Sequence, residues 1–247
     1  MGRITDAIKH LLIINILFFV ATSLYGDQMY QWFSLWFPEN ENFGIWQILS
    51  HMFMHGGLMH IAFNMYALWA FGSPLEQMWG RNKFLFFYFS AGLGAALIHT
   101  GVNYYYFNEG LNALVNSGLD KATVMDIIVQ GKYSPEWYNI AGKDTIDNFL
   151  GAYNTPAVGA SGAIYGVLVA FGMSFPNSEL FLLFLPVPIK AKYFIPVLIG
   201  LDLFSGVTGY GIFGQGIAHF AHVGGALFGF LMMWYWRKNQ FNRNRWD

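Results

Sequence analysis

The sequence contains no cysteine and few charged residues. Only 11% of its 247 residues are charged, whereas soluble domains usually carry about a quarter. The absence of cysteine excludes disulfides, thiolate nucleophiles and thiolate metal ligands. The net charge of −1 gives no indication of a nucleic-acid partner. Because 55% of the residues are hydrophobic and 19% are aromatic, the composition predicts a protein whose solvent is largely the lipid bilayer.

Six apolar stretches are predicted to cross the membrane as helices, each of which needs about 20 mostly apolar residues. Their predicted bounds are 10–25, 57–79, 84–106, 157–175, 192–207 and 217–236. The first is interpreted as a retained anchor, although a signal peptide has a similar pattern. A further apolar stretch, 180–189, contains two prolines that argue against another helix. We therefore expect an all-α polytopic membrane protein, a single domain over 1–247, with a six-helix bundle and a long outer loop at 107–156.

The basic residues indicate the orientation of these spans. If there are six, the clusters of Lys and Arg fall on one side, and the first and last loops of the other side contain neither residue. The clusters comprise Arg3, Lys9, Arg81, Lys83, Lys190, Lys192, Arg237, Lys238, Arg243 and Arg245. The positive-inside rule then predicts that both termini are cytoplasmic. Glu76 and Arg81, at the inner end of the second span, are interpreted as a solvated interfacial pair.

Polar residues recur near the outer ends of the second, fourth and sixth spans. They are His60, Asn64, Ser161, His219 and His222. Each is predicted to lie roughly four to eight residues past the entry of its span, which at 1.5 Å per residue is on the order of 6–12 Å below the outer surface. Three helices would then contribute polar groups at one depth. The topology predicts one polar chamber that opens to the outside.

Ser161 lies between glycines at the start of an apolar run. Taken alone, a serine in a span most often bonds to its own helix or packs as a small residue. The G-x-S-x-G elbow of soluble hydrolases does not apply, because the second glycine is missing and no strand precedes. The small-residue pairs Gly162/Gly166 and Gly225/Gly229 suggest, however, that the fourth and sixth helices approach closely. Such packing would bring Ser161 near His222.

A serine hydroxyl becomes a strong nucleophile when a base within hydrogen-bonding reach takes its proton. A neutral imidazole is suited to this at neutral pH. Ser161 and His222 are therefore a candidate dyad, and His219 lies on nearly the same face, so spacing leaves the choice of histidine open. Tyr165, one turn below Ser161, could pack under that imidazole, and plain core packing explains it equally well.

His60 and Asn64 share one helix face and are candidate donors to an oxyanion, together with the Ser161 backbone N–H. Taken alone, however, the pair is better explained by two interhelical hydrogen bonds. The histidines at 51, 55 and 60 suggest a metal site, but no H-E-x-x-H motif and no neighbouring acid supports one. Asp202 could orient a histidine, although a hydrogen bond to Ser205 or Thr208 is the favoured interpretation.

The two long outer loops differ in character. The first, 26–56, is rich in Trp, Phe and Met and is expected to lie partly in the outer leaflet. The second, 107–156, contains LNALVNSGL and ATVMDIIVQ, which are typical of short amphipathic helices. It is interpreted as an outer cap or an element that lies at the membrane interface.

Three motifs in order on alternate spans, HGGLMHIAFNMYALWAFGSPLE, GASGAIYG and AHFAHVGGALFG, resemble those of rhomboid intramembrane serine proteases of the bacterial type. The resemblance covers roughly 46–230, apart from the middle loop. It implies a six-helix core and a serine–histidine dyad with no required acid. It also implies substrates that are transmembrane proteins, a bacterial inner membrane, and no cofactor, metal or nucleic acid.

The resemblance also implies a role for each matching residue. Ser161 corresponds to the nucleophile, and His222 rather than His219 to the general base and acid. His60 and Asn64 correspond to the oxyanion donors, and Tyr165 to the tyrosine after the nucleophile; Gly162, Gly225 and Gly229 correspond to the packing glycines. Two departures are visible. Many bacterial members have Trp-Arg where this chain has Trp46–Gln47, and the middle loop is longer than in the compact bacterial form.

Two other functions fit parts of the sequence. A non-proteolytic rhomboid-like protein would bind membrane clients, but such proteins usually lack the serine or the histidine. A transporter would need polar groups across the whole membrane. The inner halves of the fourth and sixth spans are almost wholly apolar, which disfavours a conduit.

Overall fold

The computed structural model describes residues 4–182, 185–210 and 218–243, and most of them are helical. The α-helices are α1 (Asp6–Tyr25), α2 (Asp27–Phe33), α3 (Gln47–Ser50), α4 (Leu58–Ala67), α5 (Ser73–Trp79), α6 (Arg81–Asn116), α7 (Lys121–Val129), α8 (Glu136–Ala141), α9 (Lys143–Asn154), α10 (Ser161–Ser174), α11 (Ala191–Thr208) and α12 (His219–Arg243). A 3₁₀ turn covers His51–Phe53, and a π turn, Leu68–Gly72, joins α4 to α5. Two strands are β1 (Glu179–Leu182) and β2 (Leu185–Lys190).

Helices occupy each of the six stretches predicted to span the membrane. Within the described ranges, α1, α6 and α11 are long and apolar enough to cross a bilayer, and α10 is a shorter apolar helix. Several helix ends differ from the bounds predicted for the spans: α1 begins at Asp6, before 10, and α12 continues to Arg243, beyond 236. The third helix continues to Asn116, beyond 106, and the fourth begins at Ser161 instead of 157. That six helices cross the membrane stays a prediction.

The described residues of the apolar stretch at 180–189, where two prolines argued against a helix, are indeed not helical. Strands β1 and β2 form an antiparallel hairpin in which Glu179 pairs with Lys190 and Leu180 with Ile189. The prolines in this stretch remove backbone donors that a helix would need, so the apolar run forms extended backbone instead.

Helix α10 lies at the centre of the membrane bundle. Its residues from Gly162 to Phe171 are all buried, and it packs against α6, α11 and α12. Side chains such as Ala163 and Val167 leave room for these neighbours to approach. A helix surrounded in this way needs no polar face, which accounts for its apolar sequence on all sides.

The middle loop, 107–156, is a folded helical module and not only a loop. The end of α6 packs with α7, α8 and α9 around a second hydrophobic core that includes Phe107, Ile128 and Phe149. The sequence LNALVNSGL forms the last turns of α6 and the segment after it, whereas ATVMDIIVQ lies largely within α7. We call α7–α9 and the end of α6 the outer module.

The first loop is fastened to the outer module. Phe37 belongs to the module's core, and Leu35 forms two backbone hydrogen bonds of 2.9 Å with Ala157. The Asn40 amide donates to the carbonyl of Tyr153 at 2.9 Å. These contacts join the first loop to the segment that leads into α10.

Gln47 organises the first loop through its neutral side-chain amide. It is fully buried. Its Nε2 donates to the carbonyls of Gln31 and Asn42 at 2.9 and 2.8 Å, and its Oε1 accepts from the Trp36 backbone N–H at 3.3 Å.

The interpretation of Glu76 and Arg81 as a solvated pair is wrong. Glu76 is buried and accepts hydrogen bonds from the start of α1, namely from the Ala7 N–H at 2.8 Å, the Ile8 N–H at 3.1 Å and the Thr5 hydroxyl. The first N–H groups of a helix have no acceptor within it. The carboxylate of Glu76 satisfies two of these donors and joins α1 to α5.

Candidate active site

Ser161 is the first residue of α10. The loop before it turns at Gly159, whose φ of +125° favours glycine. The Gly159 N–H donates to the carbonyl of His51 at 2.9 Å, which ties this loop to the 3₁₀ turn. The helix thus begins at the serine itself, and the depth of the serine below the membrane surface stays a prediction. The hydroxyl is at a helix N-terminus, where backbone N–H groups are unpaired.

His222 of α12 contacts Ser161 directly. Its Nε2 lies 2.8 Å from the Ser161 Oγ. Glycines allow this approach, because a Cβ on Gly229 would lie 2.6 Å from the Gly166 Cα, and one on Gly225 would overlap the Gly162 carbonyl. The two helix starts therefore meet with backbone against backbone.

The ring of Tyr165 lies parallel to the imidazole of His222. Their centroids are 4.3 Å apart and their planes differ by 11°. The tyrosine hydroxyl donates to the Asp202 Oδ2. The ring covers one face of the imidazole and limits its rotation.

Asp202 of α11 contacts both histidines. Its Oδ1 lies 3.1 Å from the His222 Nδ1 and 2.6 Å from the His219 Nδ1. The sequence favoured a hydrogen bond between Asp202 and Ser205 or Thr208, and this interpretation is wrong. The Thr208 hydroxyl donates to the carbonyl of Phe204, and that of Ser205 has no partner among the described residues. In the sequence, Asp202 is an acidic residue within a predicted membrane span, and such a residue is by default a candidate for a functional contact.

His60 and Gly159 face the same small space as the serine. The Gly56 N–H donates to the His60 Nδ1 at 3.3 Å, so the neutral ring carries its proton on Nε2. A Cβ built on Gly159 would lie 2.9 Å from that Nε2 and 3.5 Å from the Ser161 Oγ. Asn64 is buried and donates one amide hydrogen to the carbonyl of His60 at 2.8 Å, and its second amide hydrogen has no acceptor among the described residues.

The histidines of the first loop are held neutral. Burial lowers the pKa of His51 from 6.5 to about 4. Burial, with the nearby His60 ring, lowers that of His55 to about 4 as well. The rings of His55 and His60 meet edge to face with centroids 5.0 Å apart. Within the described ranges, no group of three or more His, Asp or Glu side chains is arranged to hold a metal ion.

Two cavities are lined in part by the first loop. One of about 20 Å³ adjoins Ser161 and is lined by His51, His99 and Gly159, among others. This is room for about one water molecule. The other, of about 480 Å³, lies between the first loop and the outer module, and Asn40 and Lys132 are among its lining residues.

Both a family model and individual known proteins match this chain. The family model described as the rhomboid domain matches residues 42–133 and 137–239. The bovine (Bos taurus) presenilin-associated rhomboid-like protein, mitochondrial, is 30% identical over 189 residues, which cover 76% of this chain and 36% of the relative. Rhomboid protein 1, mitochondrial, from Saccharomyces cerevisiae is 25% identical over 188 residues, 76% of this chain and 41% of the relative.

A bacterial relative aligns over a shorter segment. Rhomboid protease GluP of Bacillus subtilis is 38% identical over 52 residues, which are 21% of this chain and 10% of the relative. The chain matches well under half the length of each of these relatives. The long family match and the apolar helices make it an integral membrane protein. This chain belongs to the rhomboid family.

Proposed function

We propose that the protein is an intramembrane serine endopeptidase that hydrolyses a peptide bond in or beside a transmembrane helix of another membrane protein. The observation that carries the proposal is the 2.8 Å distance between the His222 Nε2 and the Ser161 Oγ. A base at this distance can accept the hydroxyl proton directly. Family membership and a relative named as a protease support the same reaction.

In the proposed reaction, His222 takes the proton of Ser161 while the oxygen attacks the scissile carbonyl. The carbonyl electrons move to oxygen and form a tetrahedral oxyanion. Collapse of this intermediate breaks the C–N bond, and His222 gives its proton to the leaving amine. Water then adds to the acyl-enzyme with His222 as base again, and the serine is released with its proton.

Three donors are proposed to bind the oxyanion. They are the backbone N–H of Ser161, the Nε2–H of His60 and the second amide hydrogen of Asn64. The Ser161 N–H is available because the first residue of a helix has no intrahelical acceptor. Donors of this kind each contribute about 3 kcal/mol to the stabilisation of the transition state. The space beside Gly159, which His60 and Ser161 both face, is where the oxygen would lie.

Water is proposed to reach the site from the outer face, and the cavity beside Ser161 supports this route. A helical substrate must unwind before its carbonyl becomes accessible, so Gly or Pro near the scissile bond should favour cleavage. We further propose one membrane domain that includes the outer module, with both termini on the cytoplasmic side as the basic clusters predict. A bacterial plasma membrane stays the prediction, whereas the names of the mammalian and yeast relatives specify mitochondria.

Cleavage of a tagged transmembrane substrate in proteoliposomes tests the proposal. Wild-type protein should release a product, and Ser161→Ala and His222→Ala should not. Ser205→Ala is a matched control, because it removes a buried hydroxyl without a partner in the described structure. A fluorophosphonate probe should label wild-type protein but not Ser161→Ala. Full activity in either dyad variant would refute the proposal, and a folded wild type that binds clients without labelling would favour the non-proteolytic alternative.

A further inference from the structure

We infer that Asp202 is a positioning residue: its carboxylate holds the His222 imidazole in the tautomer and orientation that present Nε2 to the Ser161 hydroxyl. The inference rests on the proposed function, because it assigns a third member to the proposed dyad. It goes beyond the expectation of a dyad that requires no acid. The observation behind it is the continuous contact from Asp202 through His222 to Ser161.

The hydrogen-bond partners of His222 determine which of its ring nitrogens carries the proton. A carboxylate can only accept hydrogen bonds. The His222 Nδ1, 3.1 Å from the Asp202 Oδ1, must therefore carry the proton. The Nε2 of the neutral ring then has a lone pair, and the Ser161 hydroxyl 2.8 Å away donates to it. The opposite tautomer would leave Nδ1 facing a carboxylate without a proton between them and would place a hydrogen where the serine proton has to go.

The carboxylate is itself held in place. Tyr165 donates to Oδ2, and the His219 Nδ1 donates to Oδ1 from 2.6 Å. These donors come from α10 and α12, the two helices that carry the dyad. The Asp202 side chain is 1% exposed, so water does not compete for its oxygens. With Tyr165 stacked on the ring, the imidazole is confined at its Nδ1 edge and on one face. His219 therefore holds the carboxylate of Asp202, whereas His222 is the histidine that contacts the serine.

The competing explanation is that Asp202 only fastens α11 to its neighbours. A fastening role would show as lost stability and not as a slower chemical step in folded protein. Ser205 provides the comparison within the same helix, since it lies less than one turn away, is buried and has no partner in the described part of the chain. The near-isosteric change Asp202→Asn removes the negative charge and keeps the volume.

The first test measures kcat and KM for a model transmembrane substrate, the rate of fluorophosphonate labelling and the unfolding midpoint in the same detergent. Folded Asp202→Asn should lose at least about tenfold in kcat and in labelling rate, with KM within about twofold of wild type, as expected for a residue that acts through the base. Ser205→Ala should match wild type. A smaller loss in folded Asp202→Asn would overturn the inference.

The second test needs no variant at position 202 and so does not depend on whether Asp202→Asn folds. Wild-type protein with ¹⁵N-labelled histidine reports which ring nitrogen is protonated, and His222→Gln identifies the signal of that residue. We expect His222 with hydrogen on Nδ1 and a bare Nε2. A resting imidazole with its proton on Nε2 would overturn the inference.

The two proposals fail in different ways. If wild-type protein neither cleaves nor labels at Ser161, the proposed function fails, and the tautomer measurement still reports on Asp202. If wild-type protein is active and Asp202→Asn is equally active, only the positioning role fails.

Discussion

Gly225 of α12 packs against the carbonyl of Gly162 in α10, and this contact lies one turn from the pair formed by His222 and Ser161. The two residues of the pair are 61 positions apart in the chain. Their approach therefore depends on how closely two backbones can come together. Even a methyl group at Gly225 would change the distance between the two helices.

Gly225→Ala should separate α10 from α12. The added methyl would overlap the Gly162 carbonyl, so the helices must move apart and the protein should lose about 2 kcal/mol of stability. Misplacement of the imidazole by about 1 Å should slow probe labelling about 100-fold. Gly200→Ala on α11, where a Cβ meets nothing within 4 Å, is the control and should label normally. Normal labelling of Gly225→Ala would mean that the glycine contact does not set the distance.

Gly159→Ala should strongly reduce activity by filling the space for the oxyanion. The new Cβ would lie 2.9 Å from the His60 Nε2, and φ of +125° adds backbone strain. We expect kcat to fall about 100-fold, as for loss of an oxyanion donor. Gly118→Ala is the matched control, since its φ is +103° but its Cβ would meet nothing within 4 Å. Equal loss of activity in both variants would assign the effect to strain and contradict the prediction.

Glu76→Gln should weaken the attachment of α1. The carboxylate accepts hydrogen bonds from the backbone N–H groups of Ala7 and Ile8, and an amide presents one N–H₂ group where an acceptor is needed. We expect a loss of about 2 kcal/mol in the free energy of unfolding. Chemical unfolding in detergent measures it, with Glu109→Gln at an exposed position of α6 as the control. Equal stability of the two variants would show that Glu76 is dispensable.

Acidification should destabilise the first loop through His51. Burial lowers the pKa of this residue to about 4 in the folded protein, so only the unfolded chain binds its proton between about pH 6.5 and 4. The stabilisation is therefore complete above about pH 6.5 and is lost as the pH falls towards 4, up to about 3 kcal/mol. Unfolding free energies measured across this range should decline less steeply for His51→Gln than for wild type. A slope in His51→Gln equal to that of wild type would contradict the prediction.

The positions of the membrane helices could be predicted from the sequence because apolar length is a local property. The close approach of α10 and α12 could likewise be anticipated from glycines spaced four apart. The partners of Asp202 could not. They depend on the rotation of α11 about its axis, and a helix that is apolar on nearly all sides does not specify which face meets α12.

The other differences between the sequence-based predictions and the structure involve contacts between residues far apart in the chain. Glu76 has a basic residue nearby in sequence, Arg81, yet its partners on α1 are 68 and 69 positions away. The outer module has short amphipathic segments that indicate helices, but its core is completed by Phe37 from the first loop. Contacts of this kind arise from tertiary packing, and a local pattern does not encode them.

The 36-residue helix α6 extends from the membrane bundle into the outer module without a break. At 1.5 Å per residue it is a rod about 54 Å long, with one end packed on α10 and α12 and the other within the module's own core. Force applied to the module by a bound protein would tilt this rod as a lever and reach the helices that carry the serine and the histidine. Distances between spin labels on the two ends of α6 and on α12, measured with and without a protein clamped to the module, would register that tilt.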